Sequence, residues 1–174
     1  MTGIAAKQLI IASVLVLTLA GCTDLPFNRP PSQLFVLSPK SSYDTSLPKV
    51  SWQLSVDVPV AEAGINTSRI AVRRSPVRLN YFESVNWSDI APRMVQTLMI
   101  ESFENRGRTV GVGRQNIAPQ RVIVAGQNHE AIVTAEGEGI DNIVNAFDDA
   151  LGKVLKKVVT WSLQAGEKDQ AARR

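Results

Sequence analysis

The chain of 174 residues has one cysteine, Cys22, and one histidine, His129. A structural metal site draws three or four ligands mainly from these two residue types, so no metal is expected. No internal disulfide can form, and the fold must be held by its apolar core. Aromatic residues are scarce, at 6%. Charge of either sign is modest: 19 Lys and Arg against 16 Asp and Glu, a net +3. A nucleic-acid binder would show a concentrated basic stripe, so nucleic acid is not expected as a partner. Catalytic signatures are missing as well. No Gly-x-Ser-x-Gly elbow accompanies His129, which reads as a strand residue with a structural or surface role. Gly111-Val112-Gly113 and Gly137-Glu138-Gly139 lack the Lys-Ser/Thr of a phosphate loop. Asp148 and Asp149 are adjacent on a helical pattern, where neighbours diverge by about 100° and do not converge on a substrate. The expectation is a protein without enzymatic activity and without a cofactor.

What is present begins with the leader. Lys7 precedes LIIASVLVLTLA at residues 9–20. That run is shorter than the ~20 apolar residues of a spanning helix and suits the middle of a signal peptide. A spanning helix that counts Ile4 and lets Lys7 snorkel is the runner-up. Leu19-Ala20-Gly21-Cys22 follows at once, in lipobox order. The thiol is the chemical requirement: a diacylglyceryl group joins the sulfur, and cleavage between Gly21 and Cys22 frees an amino group that can also be acylated. At ~0.8 kcal/mol per buried CH₂, two or three chains on one residue anchor the protein firmly. Cleavage removes one lysine and no acid, which takes the net charge from +3 to +2. Thr23 follows the cysteine, with Asp24 only one place later. By general lipoprotein sorting, an aspartate directly after the cysteine retains a protein at the inner membrane. The expected destination is therefore the outer membrane, facing the periplasm.

The expected organisation is a signal peptide at 1–21, a lipidated Cys22 with a proline-rich tether at 22–33, a domain at 34–164 and a disordered polar tail at 165–174. Residues 34–38 read as a short strand. Val50, Trp52, Leu54, Val56 and Val58 alternate with polar residues, a period of two that predicts a strand over 50–58. Two more strands are expected at 69–73 and 77–82, across a turn at Arg74-Ser75-Pro76. A helix follows, with Asp89 as N-cap, Pro92 in its first turn and Gly107 at its end. Its stripe is Ala91, Met94, Val95, Leu98 and Met99. A short strand is expected at 109–112, and residues 121–134 read as one long strand or a bent pair, with Gly126 as a bulge position. The last helix, 140–163, carries Ile140, Ile143, Val144, Phe147, Leu151, Val154, Leu155 and Val158 on one face. Strands, helix, strands and helix imply an α/β fold in which two long helices pack on a mixed sheet.

Several of these stretches add up to a resemblance. LFVLS at Leu34, VSWQLSVDVP at Val50, SRIAVRRSPVRLNYF at Ser68, NWSDIAPRMVQTLMIESFENRG at Asn86, VGVGR at Val110 and NAFDDALGKVLKKVVTW at Asn145 stand in this order behind a lipobox. Together the chain resembles the ABC-type transport auxiliary lipoproteins, the PqiC-like family. Trp87-Ser88-Asp89 and the closing helix with Phe147, Ala150, Leu151 and Trp161 are the most telling pieces. The chain departs from the family pattern in its centre, where only residues 115–120 separate Arg114 from the next strand. The resemblance implies a non-catalytic outer-membrane lipoprotein serving a lipid-transport machine. Such a machine joins an ABC ATPase and permease to an MCE-domain protein, and the MCE-domain protein is the implied partner.

Two surface features are candidates for partner binding. Arg69, Arg73, Arg74 and Arg78 crowd one expected hairpin, with Arg69 and Arg73 on one side and Arg74 and Arg78 on the other by strand parity. The alternative is an ordinary solvated hairpin guarding a sheet edge. Trp161 lies off the main stripe of its helix and is a candidate contact. The competing functional reading is a stand-alone periplasmic lipid carrier or chaperone, which needs an apolar cavity of its own.

Overall fold

The computed structural model describes residues 31–43, 47–50, 52–107, 111–113 and 126–173, the stretch 111–113 by its backbone. Gly21, Cys22, the leader and most of the expected tether lie outside the described residues. The compact unit begins at Gln33.

Its elements are β1 (Gln33–Phe35), β2 (Gln53–Ser55), β3 (Arg69–Ser75), β4 (Arg78–Trp87), α1 (Ala91–Asn105), β5 (Gly111–Gly113) and α2 (Ile140–Ala171). One sheet has the order β1-β4-β3, with β1 parallel and β3 antiparallel to β4. β2 and β5 form a separate parallel pair. The fold is α/β, a mixed sheet packed by two helices, as the sequence pattern indicates.

The alternation over 50–58 is only partly a strand. Val50 and Val56 are buried, and Trp52 and Leu54 are half-buried, but Val58 is 49% exposed. Pairing of this stretch among the described residues spans Gln53–Ser55 against Gly111–Gly113. The stretch 34–38 likewise shortens to β1, with Leu34 and Val36 exposed and Leu37 buried. Of the strand expected at 121–134, residues 121–125 lie outside the described residues and 126–134 join neither sheet.

α1 is capped one residue later than expected. Ile90, with extended backbone, is the N-cap, while Asp89 accepts a hydrogen bond from the Ile90 N–H at 2.7 Å. Pro92 still falls in the first turn, where no intrahelical donor is needed. Gly107 has φ +64°, the left-handed conformation that stops a helix at little cost when the residue lacks Cβ.

Two apolar clusters lie along α2. Leu37, Ile70, Val85, Trp87, Met94 and Leu98 gather around Val144 and Leu155. Leu47, Val50, Val56 and Phe103 gather around Val159 and Leu163. Met99 packs against both. The second cluster explains why the expected polar tail is not one. α2 runs through 165–171 because Leu163 and Gly166 are buried, so the helix has a core to continue on.

Polar side chains tie the irregular segment before β3 to α1. Gln96 Nε2 donates to the Val56 carbonyl at 2.9 Å, and an Arg106 amino group donates to the Leu47 carbonyl at 2.8 Å. Ser102 Oγ accepts from the Lys40 N–H at 2.9 Å. Gln96, Ser102 and Arg106 are buried. Each satisfies a backbone group in a segment that has little sheet pairing of its own.

Candidate partner-binding surface

The β3–β4 hairpin carries the four arginines. Its turn is Pro76-Val77, with Ser75 opposite Arg78, one residue further along than the expected Arg74-Ser75-Pro76. Irregularities in the ladder fall between Arg69 and Ala71 and between Arg73 and Ser75. The first adds residues on the β4 side, and the second adds one in β3. The one before Ser75 falls at Arg74, and Arg73 and Arg74 are both exposed though adjacent, so the strict alternation expected there does not hold.

The four arginines have different surroundings. Arg69 lies over the Tyr81 ring, 3.9 Å from its centre, a cation–π arrangement that fixes the guanidinium. The Tyr81 hydroxyl donates to the Gly64 carbonyl at 2.9 Å. This holds the loop around Gly64 against the hairpin so closely that a Cβ at 64 would lie 2.7 Å from Leu79 Cδ2. One end of the hairpin is thus anchored. Towards the tip, Arg73, Arg74 and Arg78 are exposed and have no ion pair among the described residues. Val77, at the turn, is 96% exposed and Leu79 is 41% exposed. Three exposed guanidinium groups around an apolar tip, with no acid from 69 to 82, form a cationic surface suited to an anionic partner. Arginine also forms planar, two-pronged hydrogen bonds to carboxylates. The apolar residues of this tip were not singled out from sequence. The spacing Arg74-Ser75-Pro76-Val77-Arg78 carries the signal once a two-residue turn is assumed.

Trp161 belongs to a different place. It is half-buried on α2, and its ring meets His129 edge-on at 6.0 Å between centres. The imidazole Nε2 is buried and has no hydrogen-bond partner among the described residues. Trp87 is buried and meets Phe147 edge-on at 5.6 Å. Asp148 accepts a hydrogen bond from the Ser38 N–H, which ties the chain after β1 to α2, and Asp149 is exposed. The two carboxylates have separate surroundings.

No protein-family model and no curated protein matches the chain. Among solved structures, it is similar to a crystal structure of a Xanthomonas campestris protein described by the family model DUF330. The TM-score is 0.68 at 23% identity, over 80% of this chain and 99% of that one. Likeness at this identity establishes a shared fold.

Proposed function

We propose that this chain is a membrane-anchored periplasmic lipoprotein that serves as a non-catalytic auxiliary component of an ABC/MCE-type lipid-transport system. In this reading Cys22 holds it at the outer membrane, and the domain docks the MCE-domain partner. The lipobox and the order of family-like stretches support the reading. The observation that carries it is the hairpin itself: Arg73, Arg74 and Arg78 are exposed and have no ion pair among the described residues, on a strand pair whose far end is fixed by Arg69, Tyr81 and Gly64. A rigid arginine surface loses little conformational entropy on binding, and arginine is enriched among residues that dominate interface energy.

Charge reversal of Arg73→Glu with Arg74→Glu tests the proposal. Capture of the MCE-domain partner from a co-expressing strain should fall by at least ~10-fold, the effect of losing about 1.4 kcal/mol of binding. The melting temperature should hardly change, because exposed substitutions alter stability by ~0.5 kcal/mol or less. Undiminished capture by a folded variant would remove the hairpin from the interface.

A further inference from the structure

Residues 128–136 have the burial pattern of a strand and pair with no strand among the described residues. His129, Ala131, Val133 and Ala135 are half-buried, while Asn128, Glu130, Ile132, Thr134 and Glu136 are exposed. A period of two is the signature of β conformation on a packed surface. The segment nonetheless joins neither sheet among the described residues. From 128 to 136 the hydrogen bond present is to the Glu130 carbonyl, which accepts from Lys157 Nζ at 2.6 Å. Among the described residues this leaves an edge of unpaired peptide groups, of the kind that proteins usually cover, charge or shorten. Ile132, in the middle of it, is 83% exposed. An open groove of about 410 Å³ runs beside it, lined by Glu130, Ala131, Ile132, Lys153 and Lys157.

We propose that this edge joins two copies of the chain by antiparallel strand addition, centred on Ile132. Self-complementarity identifies the occupant. A two-fold axis at Ile132 places Ile132 against Ile132 of the second copy. Glu130 then faces Thr134, and Asn128 faces Glu136. On the inner face Ala131 meets Val133, and His129 meets Ala135. No like charges stand opposite one another in this register. Shifting the axis to residue 133 would set Glu130 against Glu136, and shifting it to residue 130 would set Glu130 against itself. Directly opposed like charges destabilise a strand pair. An axis at residue 131 also avoids opposed like charges but sets Ile132 against Glu130, so the register centred on Ile132 is the one that pairs the apolar residue with itself, and an isologous contact of this kind closes at two copies. Lys153 is exposed and has no ion pair among the described residues. In the groove it would meet a carboxylate of the incoming strand. An edge of nine residues is smaller than a standard stable interface, so the pairing is concentration-dependent.

The test uses the full chain carrying Cys22→Ser, purified in detergent, so that an introduced cysteine is the sole thiol. Opposed side chains at a two-fold position come within disulfide range. Ile132→Cys should therefore cross-link under mild oxidation at least ~10-fold faster than Val60→Cys, a control at a position that is 102% exposed. Without an added cysteine, light scattering should show a dimer that grows with concentration. Ile132→Lys, which sets like charges on the axis, should return it to monomer with an unchanged melting curve. Ile132→Pro, which removes a donor from the edge, should do the same. Equal cross-linking at 132 and 60 would overturn the proposal. So would a wild-type monomer at all concentrations, or a dimer that survives in either folded variant.

Discussion

Gly166 sits directly beneath the indole of Trp52. A Cβ at position 166 would lie 2.5 Å from Cζ2, 2.7 Å from Cε2 and 2.9 Å from Nε1 of that ring. The indole N–H is buried without a hydrogen-bond partner among the described residues, so the ring is held by packing. This contact joins β2's approach to the last third of α2.

A matched pair of substitutions follows. Gly152 is also inside α2, and a Cβ there would meet nothing within 4 Å. Gly152→Ala should therefore gain the helix-propensity difference of up to ~1 kcal/mol and raise the melting temperature by roughly 2–4 °C. Gly166→Ala gains the same propensity but must displace the indole. Overpacking costs about 1–3 kcal/mol, so the variant should melt below the wild type. Thermal denaturation of the two variants side by side checks this, and a rise for both would show that Trp52 moves freely.

The same contact shows where sequence pattern falls short. Gly166 to Gln170 reads as a polar end, and no periodicity in that stretch reveals that Trp52 covers it from more than a hundred residues away. An ion pair of Arg173 with Asp169 at 3.1 Å then supports the final turn. Both helices were legible because their stripes repeat locally, and Gly107 was legible because a left-handed stop demands glycine. The mixed sheet and the arginine hairpin were legible in outline. Exact turn position and side-sharing were not, because bulges change strand parity without a mark in composition. The roles of Gln96, Ser102 and Arg106 were hidden for the opposite reason. Polar residues on a helix ordinarily face water, and only the chain passing at Lys40, Leu47 and Val56 turns them inward.

Tyr43 should give the protein a measurable alkaline weakness. Its hydroxyl donates to the Ser102 carbonyl at 2.9 Å. Burial pushes its pKa up from 10.0 to about 12, against the opposing influence of the Ser102 side chain and the Arg106 charge. The folded state thus holds the phenol proton more tightly than the unfolded state. This contribution is complete below pH 10 and is lost as pH rises through about 12. Tyr43→Phe should be less stable than wild type at neutral pH by about 1 kcal/mol, the value of a typical hydrogen bond. The gap should narrow between pH 10 and about 12, and denaturant melts at both ends of that window would measure it. A gap independent of pH would contradict the assignment.

His129→Phe should leave function intact. The imidazole buries an unpartnered Nε2 beside the Trp161 ring. Removing an unsatisfied polar atom relieves about 1 kcal/mol or more of desolvation, and phenylalanine keeps the edge-on aromatic contact. The variant should match or exceed wild-type stability, and it should support lipid transport if the domain acts by docking. Loss of transport with folding and partner capture preserved would point to a chemical role for His129.

Cys22→Ser should separate anchoring from folding. A serine hydroxyl cannot form the thioether that carries the diacylglyceryl group, so incorporation of labelled fatty acid should cease. Without two or three acyl chains the remaining attachment is too weak to survive a salt wash, since even one fatty chain binds a bilayer only marginally. The domain should melt as before, because the compact unit begins at Gln33 and Cys22 precedes it. Lipidated wild-type protein should sediment with outer-membrane markers on a density gradient, given Thr23 rather than aspartate after the cysteine. Label uptake by Cys22→Ser would overturn the lipobox assignment. Wild-type protein recovered with inner-membrane markers would leave the anchor intact and reject only the destination.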